Sequence, residues 1–221
     1  MPYIVNFFVA IGIPLCVAIF FTKGKNRRFC IFLVIGMLMC LLSAYMNSFF
    51  GIMLEMSAED TAIYVTPLCE ELMKLLPVLF FLLIFEPVDE DLMITALTVG
   101  IGFATLENCC YLLEIVEEDF GYTLVRGLAV GVMHTVCALT AGIGLTVFKR
   151  YRRMGIIGAV GIFVTAYSYH AIYNLLVSGG NFWRAMGYCM PLVTVLIIYI
   201  LYRNGLFRIE HEEIENEGKQ Q

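Results

Sequence analysis

The chain comprises 221 residues, 60% of them hydrophobic and 15% charged, with a mean hydropathy of +0.83. That balance excludes a soluble globular domain and marks an integral membrane protein. The net charge of −5 conceals a segregation, with the acidic surplus in loops and a tail and the basic residues in clusters, and no nucleic-acid partner is expected. The cysteines Cys16, Cys30, Cys40, Cys69, Cys109, Cys110, Cys137 and Cys189 all fall in apolar stretches. A free thiol there behaves as a small hydrophobe, so neither a disulfide framework nor a C-x-x-C metal site is expected.

The start, Met1-Pro2-Tyr3, has no basic segment, and the apolar run to Thr22 ends without a small-residue cleavage signature, so a retained span is expected there. At about 20 apolar residues per spanning helix, spans are predicted near residues 3–22, 29–53, 62–85, 92–116, 122–148, 155–178 and 185–202. The expected architecture is an all-α polytopic membrane bundle of about seven transmembrane helices embedded in a lipid bilayer. The basic clusters Lys23, Lys25, Arg27, Arg28 and Lys149, Arg150, Arg152, Arg153, with Arg203 and Arg208, belong on one side, the cytoplasm. The N-terminus is then outside and the C-terminus cytoplasmic. The loops assigned outside, 54–61, 117–121 and 179–184, contain Arg184 as their only basic residue. Loop 86–91 is acidic yet cytoplasmic, which the rule permits because acidic residues contribute little. Residues 1–208 are expected to form a single integral-membrane domain and 209–221 an acidic, disordered cytoplasmic tail, where His211-Glu212-Glu213 is solvated charge. No repeat of the kind that builds transporters from matching halves is visible.

The third span contains Thr66-Pro67-Leu68-Cys69-Glu70-Glu71-Leu72-Met73-Lys74. An ionisable residue inside a bilayer costs about 2.5 to 3.5 kcal/mol on insertion scales, so this concentration of charge demands partners or a function. Glu70 and Lys74 stand at i,i+4 and Glu71 and Lys74 at i,i+3, so the ammonium reaches either carboxylate on one helix face. Pro67 behind Thr66 reads as a helix start capped by Thr66, which sets both glutamates near the positive end of the helix dipole.

The other polar residues within spans are Glu107, Asn108 and Glu114 in the fourth, Arg126 and His134 in the fifth, and His170 and Asn174 in the sixth. Counted from the outer ends, Glu107 lies about 9 residues in, His134 about 12 and His170 about 8, or roughly 12 to 18 Å at the α-helical rise. Glu70 and Glu71 lie about 8 residues in, in the same layer, if their span begins at residue 62, and only about 3 or 4 if it begins at Pro67. A polar pocket opening toward the outer face is the simplest account. Gly100, Gly102, Gly127 and Gly131 supply small residues for close helix approach near Glu107. Structural readings stand beside these. Glu70, Glu71 and Lys74 are also consistent with a buried ion pair fixing helix register, and a lone His134 or His170 with a bond to a backbone carbonyl. Arg126 reads as an interface residue or a partner of Glu117 or Glu118. Glu114, Trp183 and Tyr188 read as structural, the aromatics at the membrane interface.

Four blocks, in order and each in a different helix between residues 70 and 174, resemble the PrsW-type intramembrane proteases, distant relatives of the glutamate-dependent CAAX prenyl endopeptidases. Glu70-Glu71-x-x-Lys74 is similar to the family's first motif and Gly102-Phe103-Ala104-x-x-Glu107-Asn108 to its second. Arg126-Gly127 leading to His134, with Gly142 beyond, resembles the third, and His170-Ala171-x-x-Asn174 the fourth. In the CAAX branch the first motif usually ends in Arg one position later and the Phe motif in His, whereas Lys74 and Glu107 stand here, as in the PrsW branch.

The resemblance implies hydrolysis of a peptide bond in a membrane-anchored protein substrate, for PrsW itself an anti-sigma factor clipped on its extracytoplasmic side in stress signalling, and a bacterial cell-membrane location. On that reading Glu70 is the base for water attack, and Glu71 is the acid or holds Lys74. His134, His170 and Asn174 orient water and stabilise the oxyanion, with Glu107 and Asn108 as supporting, water-positioning groups. No cofactor is expected. The alternative is a zinc protease with Glu70, His134 and His170 as ligands and an open water position, although no H-E-x-x-H spacing accompanies it. The rival class is an ion-coupled carrier whose buried Glu and His residues relay protons, and a third reading is a binding scaffold with a degenerate site.

Overall fold

The structure, a computed structural model, describes residues 2–114, 120–150 and 152–204. The tail 209–221, with its His211, and Glu117 and Glu118 lie outside the described residues, as does the side chain of Glu114. The described chain is helical, with no strand: α1 (Pro2–Phe21), α2 (Gly24–Met53), the short α3 (Ala58–Asp60), a π-helical turn (Thr61–Val65), α4 (Thr66–Phe85), α5 (Asp89–Glu114), α6 (Phe120–Arg150), α7 (Arg152–Ser178) and α8 (Asn181–Arg203). The seven long helices fall on the seven predicted spans. Among the described residues five segments are long and apolar enough to cross a membrane by themselves: Gly24–Met53, Asp89–Leu112, Phe120–Arg150, Ile156–Ser178 and Asn181–Leu201. The apolar stretch Phe8–Phe21 is shorter, and α4 has the length, 20 residues, but carries Glu70, Glu71 and Lys74.

The approach to α4 differs from the expected start at Thr66. Helical backbone begins at Ala58, where Ser57 is the true N-cap and its Oγ accepts from the Asp60 amide at 3.0 Å. Thr66 has α-helical dihedrals, and the backbone runs through it without a side-chain cap. The reason lies in Pro67, which lacks an N–H and whose ring would meet the carbonyl four residues back. The chain widens there into the π turn, with the Thr66 amide bonding five residues back to Thr61 O. The next carbonyl in that pattern, Ala62 O, has only Pro67 ahead of it; Asn174 Nδ2 of α7 donates to it instead at 2.8 Å. The glutamates therefore sit inside a longer helical segment and not in its first turn.

α6 packs most extensively on α7, α2 on α5, and α5 on α6, while α4 is wedged against α2, α5, α6 and α7. That wedge is what buries its charged face. Below it, Phe32, Val78, Phe81, Leu82, Leu92, Ala96, Val99 and Leu145 form one apolar cluster from α2, α4, α5 and α6. Lipid supplies no hydrophobic drive between helices, so close backbone approach has to supply packing energy. At the α2–α5 crossing a Cβ on Gly36 would strike the Val99 carbonyl, and one on Gly102 the Leu33 carbonyl. Gly100 serves the α5–α6 contact, its Cβ direction blocked by Ala138 at 2.6 Å. Gly131 differs from expectation, with nothing within 4 Å of a Cβ, so it allows no close approach. Gly36→Ala or Gly102→Ala is expected to lose about 1 to 3 kcal/mol of stability, because backbone cannot give way as a side chain can. Gly131→Ala should be neutral or slightly stabilising. Reversible unfolding in mixed micelles checks both, and equal effects at Gly102 and Gly131 would overturn this account of the crossing.

The acidic loop 86–91 shares an end of the bundle with both basic clusters. Arg28 Nη1 of α2 donates to Asp91 Oδ2 at 2.9 Å, Lys149 Nζ of α6 to Asp89 Oδ1 at 2.9 Å and to Pro87 O at 2.6 Å, and Arg150 Nη2 to Asp89 Oδ2 at 3.3 Å. These contacts explain how an acidic loop lies among cationic ones.

Candidate active site

Helices α4, α5, α6 and α7 bring Glu70, Glu71, Lys74, Glu107, His134 and His170 into one contiguous network. Glu70, Glu71, Lys74, His134 and His170 are all buried. Of the two carboxylates within its reach, Lys74 takes Glu71, Nζ to Oε1 at 2.6 Å, and lies 5.0 Å from the centre of the Phe103 ring. The same ammonium is 2.9 Å from His134 Nδ1. An ammonium has only protons to offer, so this contact leaves the His134 Nδ1 lone pair occupied and the ring proton on Nε2, which donates to Glu107 Oε2. His170 has the opposite arrangement. Its Nδ1 faces Glu71 Oε1 at 2.8 Å, so the proton belongs on Nδ1, and the Nε2 lone pair is directed toward Glu70 Oε2 at 3.7 Å. The two imidazoles meet edge to face with centroids 5.0 Å apart.

Glu70 is thus the member without a counterion of its own. Its Oε2 is buried and has no hydrogen-bond partner, and the 3.7 Å to His170 Nε2 is too long for a direct bond. A buried carboxylate oxygen and an imidazole lone pair facing each other at that distance both require a proton donor or a cation between them. Asn47 of α2, whose Oδ1 is also buried without a partner, faces the Glu70 carboxyl. Sequence reasoning passed over Asn47; an amide side chain near the Met53 end of the second span, at matching depth, was the available signal.

Two expected supporting residues stand outside this network. Asn108 Nδ2 donates to Gly127 O at 3.2 Å and its Oδ1 accepts from Arg126 Nη1 at 3.3 Å, tying α5 to α6. Asn174 has its amide nitrogen committed to Ala62 O. Arg126 lies 2.9 Å from the centre of the Tyr111 ring and lines a cavity of about 310 Å³; its suggested partners Glu117 and Glu118 are outside the described residues. Glu107, 28% exposed, forms part of that cavity's wall and is where the layer opens onto it. Tyr188, expected at the interface, has its hydroxyl 2.9 Å from that of Tyr122 within the same wall, whereas Trp183 is exposed.

Glu70, His134 and His170 offer one ligand atom each within 4.8 Å of one another. By distance and by the orphaned Glu70 oxygen this donor set suits a divalent cation. The His134 environment does not. The Nδ1 lone pair of His134 is taken up by the Lys74 ammonium and its Nε2 already faces Glu107, so neither ring nitrogen is open to an ion.

An apolar helical bundle enclosing a layer of carboxylates and imidazoles has the groups an intramembrane hydrolase requires. The family model described as PrsW family intramembrane metalloprotease matches residues 10–202, and the chain belongs to that family. It is an intramembrane protease acting on protein substrates embedded in the lipid bilayer. No curated protein and no solved structure matches it.

Proposed function

We propose that the chain is an intramembrane endopeptidase of the glutamate type, in which Glu70 is the general base for a water held between its Oε2 and His170 Nε2. The observation that carries this reading is the pairing of a buried, partnerless carboxylate oxygen with an imidazole lone pair at 3.7 Å. A water there would donate one proton to each and present its oxygen to a peptide carbonyl. Glu71 orients His170 and holds Lys74, and Lys74 in turn orients His134. The His134 Nε2–H, shared with Glu107, is the donor for the developing oxyanion. After addition, the proton accepted by Glu70 passes to the departing amine.

A zinc-dependent mechanism is the second reading, favoured by the family description and by the Glu70, His134, His170 donor set. Those residues would hold the ion, which would supply Lewis-acid polarisation of the scissile carbonyl. The ammonium at His134 Nδ1 speaks against it. The carrier reading has lost ground, since the family is one of proteases.

The substrate we propose is a single-pass protein of the anti-sigma-factor kind, in a bacterial cell membrane, cut near its extracytoplasmic end. An N-outside orientation supports this, because the polar layer then lies in the outer part of the bilayer. Lipid-exposed backbone cannot unwind, as each unsatisfied amide costs several kcal/mol, so cleavage has to occur within the pocket. Mass spectrometry of products from a reconstituted substrate is expected to find the new termini at the external end of the span. Cleavage confined to the cytoplasmic juxtamembrane segment would sink the orientation or the role of Glu70. Labelling of a cysteine placed at Ser57 tells which, since the orientation requires that it react from outside.

A further inference from the structure

We propose that the cavity between α5, α6, α7 and α8 is a substrate subsite for a carboxylate, carried by an acidic side chain or a chain terminus on the external side of the scissile bond. The proposal rests on the protease reading above.

The cavity, about 310 Å³, has Glu107 in its wall beside the polar layer, with Tyr111, Arg126, Tyr173, Arg184 and Tyr188 around it. Tyr111 is in the last turn of α5 and Arg184 in the first turn of α8, so the cavity runs from the catalytic layer toward the outer helix ends. Two guanidinium groups converge on it. Arg126 is fixed by Tyr111 beneath it and by Asn108 Oδ1 at 3.3 Å, and Arg184 by its Nε–H bond to Val177 O at 3.3 Å. Each thereby commits one nitrogen and keeps the rest of its N–H fork for a ligand. Neither has an ion-pair partner among the described residues.

Tyr173 supplies the second, independent observation. It is 2% exposed, lines the same cavity, and its hydroxyl has no hydrogen-bond partner among the described residues. A buried hydroxyl of this kind needs an explanation, and an acceptor bound in the cavity provides one. Among the described residues the only carboxylate in the lining is Glu107, already engaged by His134 Nε2, so the described wall sets two guanidiniums against one carboxylate. The planar forks of arginine match a carboxylate in bidentate geometry, and low solvent access strengthens the pairing. A peptide reaching the catalytic layer past Glu107 would carry that carboxylate within a few residues of the cut.

The test uses the full-length protein in liposomes with single-pass substrates. Each of about six positions external to the cut carries Asp, Asn or Lys in turn, and matched substrates have free or amidated C-termini. At one position Asp is expected to exceed Asn in kcat/KM by about 10- to 100-fold, mainly through KM, as loss of charge-assisted hydrogen bonds implies. A preference for the free terminus alone would assign the carboxylate to the chain end. Arg184→Gln should bring the Asp substrate down to the kcat/KM of the Asn substrate, and Arg184→Glu should turn the preference toward Lys. Equal cleavage of Asp, Asn and Lys substrates at every position, with no effect of amidation, would overturn the proposal. So would an Arg184→Gln variant that slows all substrates alike, which would mean that the arginines only balance Glu107. If Arg184→Gln fails to fold, the substrate series on the wild type decides alone. A wild type as inactive as Glu70→Gln on every substrate would instead sink the protease reading itself.

Discussion

Glu70→Gln is expected to lower turnover by about 10² to 10⁴-fold while leaving the fold intact, the range typical of losing a positioned general base. The amide keeps the shape of the carboxyl group but offers N–H donors or a weakly basic oxygen where a water must give up a proton. The site has no ready substitute. Glu71 is committed to Lys74 and His170, and Glu107 to His134. Activity of the purified wild type should also survive exhaustive chelation. Zinc present in stoichiometric amount, lost together with activity and restored with it, would replace the glutamate mechanism by the metal one. The two readings also part at Lys74. The Lys74 ammonium occupies the Nδ1 lone pair of His134, so metal binding should improve when the ammonium is removed, whereas the glutamate reading gives Lys74→Met no activity under any metal supplement.

Lys74→Met is expected to cost about 3 to 5 kcal/mol of stability, the loss seen when one partner of a buried ion pair is removed. Lys74 is 3% exposed and its ammonium meets both Glu71 Oε1 and His134 Nδ1. Methionine nearly preserves the volume, so the penalty is electrostatic. It leaves Glu71 a buried carboxylate and the Nδ1 of His134 an acceptor without a donor. The double variant Lys74→Met with Glu71→Leu should recover much of that stability, since a well-packed apolar pair often replaces a buried ion pair without loss. It should remain inactive, because His170 would have lost the carboxylate that sets its tautomer. Unfolding in mixed micelles and turnover, measured side by side, separate the two effects. A single variant within about 0.5 kcal/mol of the wild type, the scale of an ordinary surface substitution, would show that the pair does not hold this part of the bundle.

The polar layer was legible because charge inside an apolar run is costly and conspicuous, and helical rise converts position into depth. That logic found Glu70, Glu71, Lys74, Glu107, His134 and His170. It missed Asn47 and Tyr173, whose side chains are uncharged and whose importance lies in what they face. Nor did it foresee that the Tyr188 hydroxyl meets that of Tyr122, a contact made where α6 and α8 pack together.

The sequence by itself determined the membrane class, the seven long helices and the set of ionisable groups that share a depth, since all three follow from the cost of placing polar groups in hydrocarbon. Tertiary packing alone decided the rest. Spacing left Lys74 free to pair with Glu70 or Glu71; the rotation of α7 that brings His170 onto Glu71 decides for Glu71 and leaves Glu70 Oε2 without a hydrogen-bond partner among the described residues. The start of α4 was likewise open to a cap at Thr66 until Asn174, more than a hundred residues away, was seen to satisfy the carbonyl that Pro67 leaves without a donor. A helix face is a property of one segment. Which groups meet across it depends on the neighbours, and those are set by where glycine lets two backbones touch.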